Sequence, residues 1–99
     1  MTDQLIETFI EKWLDFDRRL REKRGLDRDS LQALMDLLEQ IEIGLGHQDA
    51  IPKNLAGIFL DMWGAMTSSA HLYDSDMQNE IYLAADHLTD CARKICCTV

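Results

Sequence analysis

His87 and Cys91 stand four residues apart in the run "DHLTDCARK". On a helix this spacing brings an imidazole and a thiol to the same side, as two metal ligands require. His71, Asp74 and Asp76 precede them in "HLYDSD" and are the nearest further donors in sequence. No second closely spaced pair completes a tetrahedral set, and no C-x-x-C occurs. The balance of this pattern favours Cys91 as a small apolar filler and His87 as a boundary residue, with no metal expected.

Nucleophilic chemistry has equally little support. Ser68, Ser69 and His71 are close in sequence, but a nucleophile needs an oriented base and an oxyanion site, which adjacency does not supply. Asp86 and Asp90 form a carboxylate pair at helical spacing in a chain with 18 acidic residues, so they read as a solvated face. "GLGHQDA" lacks the lysine and the spacing of a phosphate loop. No enzyme activity, cofactor or catalytic residue is expected. Cys96 and Cys97 are adjacent near the end of the sequence, and an odd total of three cysteines makes a poor disulfide framework.

The remaining cluster is electrostatic. "RRLREKRG", Arg18 to Gly25, carries five of the ten Lys and Arg residues in a chain of net charge −8. An acidic chain with a sequence pI near 4.6 lacks the basic surface that counterion release on nucleic acid requires, so direct nucleic-acid binding is not expected. Cations near a helix C-terminus suit its dipole. Arg18, Arg21 and Arg24 also fall within reach of Asp15, Asp17, Glu22 and Asp27 for i,i+3 and i,i+4 pairing. A contact between these arginines and a charged partner is the functional alternative.

The elements that must position these groups are helical. At 99 residues, 46% hydrophobic and 28% charged, the composition is that of one globular domain over 1–99. Leu5, Phe9, Trp13, Phe16 and Leu20 recur at steps of 4, 4, 3 and 4, a stripe on one helix face. This predicts a first helix over about Asp3 to Arg24, capped by Thr2, closed by Gly25 and the longest of the set. A second helix runs from a capping box at Asp29 and Gln32 to about Gly44–Gly46. A third spans about Ile51 to Ala70, with Asp49 as a cap and Pro52 in its first turn. Its stripe reads Leu55, Ile58, Phe59, Met62, Trp63 and Met66, and Gly57 and Gly64 lie on the other side of the helix, either as tolerated weakness or to admit another backbone. A fourth begins at a capping box formed by Ser75 and Gln78 and ends near Cys96.

Four helices with short connections and no strand pattern predict an all-α, antiparallel four-helix bundle, dimeric through surplus apolar surface. Ile6, Ile10 and Leu14 broaden the apolar arc of helix one beyond a single stripe, and Leu60 does so on helix three. These four, with Trp13 as an aromatic anchor, are the candidate partner or dimer interface. No apolar run approaches the length of a membrane span, and the acidic N-terminus lacks a signal-peptide pattern, which predicts a cytoplasmic location without membrane association. The expected function is regulation by binding: inhibiting or sequestering another protein, as antiactivators, immunity proteins and inhibitors do. The alternatives are an assembly subunit that only self-associates and, with less support, a metal-dependent enzyme.

Overall fold

The computed structural model describes residues 2–46 and 48–97. Four α-helices account for most of them: α1 Thr2–Arg21, α2 Arg28–Leu45, α3 Lys53–Ala70 and α4 Ser75–Cys96. Burial of apolar residues at steps of three and four holds the helices together. α1 supplies Ile6, Phe9, Trp13, Phe16 and Leu20; α2 supplies Leu34, Leu38 and Ile41. Leu55, Met62 and Met66 of α3 and Ile81 and Leu88 of α4 complete the centre. Phe9 and Phe59 meet edge to face with ring centroids 6.2 Å apart, an arrangement that aligns a ring's positive rim with its neighbour's negative face. α4 presents Ala84, Ala85 and Ala92 inward, and these small side chains leave room for its neighbours.

The helices pack side by side in the order α1, α2, α4, α3. α1 touches α2 and α3, and α4 touches the same two. Among the described residues α2 and α3 do not pack together, nor do α1 and α4. The connection between α2 and α3 therefore crosses the bundle diagonally, whereas those within α1–α2 and α3–α4 join neighbours.

The helix ends depart from the sequence reading in ways that local hydrogen bonding explains. α1 stops at Arg21, not Arg24, because Lys23 takes the left-handed conformation at φ 61°. Lys23 N–H bonds to the Leu20 carbonyl and Arg24 N–H to the Arg19 carbonyl, the paired bonds of a Schellman ending. Gly25, expected to close the helix, forms the next left-handed residue at φ 88° instead. α1 is thus shorter than α4, 20 residues against 22. α2 is capped by Asp27, whose carboxylate accepts from the N–H groups of Asp29 and Ser30 at 3.0 and 3.1 Å. Asp29 lies inside the helix, and Gln32 bonds to Asp36. Asp74, not Ser75, caps α4 by accepting from Met77 N–H, while Gln78 reaches back to the Tyr73 carbonyl. α3 has no side-chain cap: Pro52 occupies the cap position, and Asp49 remains in the connection.

Candidate functional site

The residues expected to form a surface divide between core and exterior. Ile6 and Trp13 are 2% and 3% exposed and belong to the core, so neither lines a surface of this chain. α1 lies between two helices, and the arc those neighbours cover is wide enough to take in both residues. Ile10 is half-buried against the core. Leu14, at 54%, and Leu60, at 85%, are the two that remain exposed.

The arginine cluster is compensated within the chain. Arg18 pairs with Asp15 and with Glu22, and Arg19 with Asp15 and Asp27. Arg21 lies 3.4 Å from Asp17 and Arg24 3.2 Å from Glu22. Exposed pairs of this kind contribute at most about 1 kcal/mol each. Their larger effect is to cancel the local positive field, so "RRLREKRG" is a neutralised helix end. Asp17 is the exception to good pairing: its Oδ1 is buried with no hydrogen-bond partner among the described residues. Burial pushes its carboxyl above the ordinary aspartate value, against the opposing pull of Arg21.

The groups tested for chemistry do not converge. His71 and His87 are exposed on different elements, and Asp74 spends its carboxylate on the α4 cap. His47 lies outside the described residues. Among the described residues no three His, Cys, Asp or Glu side chains are placed to share a metal ion. Ser69 is buried in the core while Ser68 faces outward, which separates the two hydroxyls. Burial raises the Cys91 thiol above its ordinary value, which leaves less of the thiolate that nucleophilic attack needs. Cys91, Cys96 and Cys97 are all free.

What the structure does gather is an apolar strip on the outside of α3. Leu60 is the most exposed large apolar residue among those described, and Trp63, one turn along, is 49% exposed. Gly57 and Gly64 flank them, and a Cβ built on either glycine meets nothing within 4 Å. Only Lys53 and Asp61 are charged among the 18 residues of α3, the lowest charge density of the four helices. The other exposed large apolar residues among those described, Leu14, Ile43, Leu72 and Leu83, are scattered over separate elements, as is normal for a protein surface. Beside the strip, the Trp63 indole N–H donates to Asp86 Oδ1 of α4 at 3.1 Å. An open groove of about 450 Å³ runs between the two helices, lined by Trp63, Asp86, Thr89, Asp90 and Arg93.

Sequence reasoning placed Trp63 in the core, because it sits beside Met62 on an apolar stripe. The signal that marks it as exterior is the scarcity of charge along α3, which leaves the solvent face of that helix without the usual polar labels.

Comparison with protein-family models, with curated proteins and with solved structures returns no match. The functional reading of this chain therefore rests on its own surface. None of the described helices is long and apolar enough to cross a membrane.

Proposed function

We propose that this chain is a small regulatory protein that binds another protein through the outer face of α3 and inhibits or sequesters it by covering a functional surface. The observation that carries this reading is the exposure of Leu60 and Trp63 together on a helix with almost no charge. A contiguous apolar patch of that kind is characteristic of a docking surface, and a half-exposed tryptophan is a favourable anchor. Leu14, on α1, is a subsidiary contact. The binding is of protein, with no cofactor, membrane or direct nucleic-acid contact, and it operates in the cytoplasm without catalysis.

The compensated arginines support the apolar face over a charge-guided one. With Arg18, Arg21 and Arg24 all paired internally, the cluster offers little net field to a partner. We also read consecutive helices as running in opposite directions, because Tyr73, in the α3–α4 turn, bonds to both Leu20 and Gly25 at the α1–α2 turn; the packed pairs α1–α3 and α2–α4 then run parallel.

Affinity capture from the native host tests the proposal, using the wild-type chain and Leu60→Asp in parallel. A stoichiometric foreign protein captured by the first and lost with the second is the expected result. Recovery of the chain alone in both would replace regulation with the second reading, an assembly subunit that binds only itself.

A further inference from the structure

The α3–α4 face has a pattern of shape and charge that fits a second copy of itself. Two chains of net charge −8 repel, so self-association is possible only where the contact is poor in negative charge or pairs opposite charges. The outer side of α3 comes near the first condition, with Asp61 as its one acid. Its central feature is one knob, Leu60, with a notch on each side where Gly57 and Gly64 have no side chain. An apolar centre with a glycine on each side is suited to a two-fold contact, in which Leu60 packs on its own copy and the backbones approach at the glycines.

The charges of α4 fall in register with that knob. Trp63 is hydrogen-bonded to Asp86, which sets the level of α3 against α4. Leu60 is three residues before Trp63, and Thr89 is three residues after Asp86. Because the chain reverses at the short turn between the helices, Leu60 and Thr89 lie at one height, each about 4.5 Å from the Trp63–Asp86 level. A two-fold axis crossing the face at that height lays α3 antiparallel on α3 and α4 antiparallel on α4. It opposes Gly57 of one copy to Gly64 of the other. The same rotation opposes Asp86 of each copy to Arg93 of the other, giving two symmetric ion pairs. Arg93 is held weakly: among the described residues it pairs with Asp90, 3.9 Å away, and both side chains are largely exposed.

We propose that the α3–α4 face is a self-docking surface, closed by a second copy of this chain with Leu60 at the two-fold axis and Asp86 paired to Arg93 across it. This rests on the binding role assigned to α3 above, and it names an occupant and a register for that face. The face is about 27 Å long and two helices, or about 20 Å, wide. It buries roughly 500 Å² per copy, below the ~800 Å² per partner of standard stable interfaces. The dimer is accordingly weak, with a dissociation constant in the micromolar range, and a target protein can displace one copy.

Sedimentation equilibrium of the purified chain, from about 5 to about 500 μM, tests it. The wild type shifts from monomer to dimer across that range. Asp86→Arg and Arg93→Asp each weaken the dimer about tenfold or more, and the two together restore it to within about threefold of wild type. Asp90→Asn tightens it, because the two Asp90 carboxylates approach each other beside the axis. Far-UV circular dichroism confirms that each variant keeps its helices. A wild-type chain that stays monomeric throughout, or a dimer indifferent to the charge reversals, overturns the proposal. Looser association of Asp90→Asn moves the axis elsewhere and overturns the register. The capture experiment with Leu60→Asp stands independently of all three outcomes, since a foreign partner can use the face whether or not two copies do.

Discussion

The Tyr73 hydroxyl donates a 2.8 Å hydrogen bond to the Leu20 carbonyl, near the C-terminal end of α1. The same oxygen accepts a 3.1 Å bond from Gly25 N–H. One phenol from the α3–α4 turn thereby satisfies two backbone groups of the α1–α2 turn, and it ties together two segments about fifty residues apart.

Tyr73→Phe keeps the ring and removes both bonds. Gly25 N–H loses its partner, while the Leu20 carbonyl keeps its bond from Lys23 N–H and loses only its second, so the chain loses about 1 kcal/mol of stability. Urea denaturation followed by circular dichroism should show a lower midpoint with an unchanged slope. An unaltered midpoint would mean that water replaces the phenol without loss.

Asp17 is expected to oppose folding at neutral pH. Its carboxyl is raised by burial, and its Oδ1 has no partner among the described residues. A carboxyl that holds its proton more tightly in the folded state costs stability above its folded pKa, and that cost disappears below the ordinary aspartate value. Asp17→Asn therefore stabilises the chain at pH 7 by about 0.5–1 kcal/mol, after the loss of the exposed pair with Arg21. The advantage over wild type should shrink as pH falls through the carboxylate range.

Asp27 has the opposite sign. Hydrogen bonds from Ser30 first, then Asp29, with the charge of Arg19 nearby, hold its carboxyl below the ordinary aspartate value. Its contribution to stability is present above that ordinary value and is lost as pH falls through the lowered one. Asp27→Ala lowers the thermal midpoint at pH 7, and the difference from wild type narrows in acid. Asp27→Asn, which retains a capping oxygen, keeps most of the wild-type stability.

Gly57 and Gly64 separate folding from association. Each sits within α3 with open space where a Cβ would be. Alanine at either position lowers the backbone entropy lost on folding and should raise stability by about 0.5–1 kcal/mol. Where Gly57 of one copy faces Gly64 of the other, the added methyl groups hold the two α3 helices apart, and the same substitutions weaken self-association in sedimentation. Greater stability without weaker association would assign these glycines no role in the contact.

Much of the architecture was legible along the chain. The repeat of Phe9, Trp13, Phe16 and Leu20 marked α1, and the breaks at "RGLDR", "GHQDAIP" and "LYDS" marked the connections. Helix ends were less legible, since several Asp, Ser and Asn residues competed to cap each one. Asp27 won over Asp29 because its backbone is extended, at φ −82° and ψ 107°, as a cap requires. Lys23 could not be foreseen in the left-handed position, where a lysine is intrinsically disfavoured. The candidate surface was legible only in part: Leu60 was found, while Trp63 was assigned inward and Ile6 and Trp13 outward.

By itself, then, the sequence determined that this protein is four helices, because helix formation and its apolar period are set by neighbours three and four residues away. Tertiary structure alone decided which part of each apolar arc is covered. A helical wheel shows how wide an arc is but not how many helices pack against it. α1 touches two neighbours and draws in Ile6 and Trp13. α3 also touches two, yet leaves Leu60 and Trp63 exposed on its outer side. The side of each helix that its neighbours cover settles those exposures, and it depends on contacts between residues far apart in the chain.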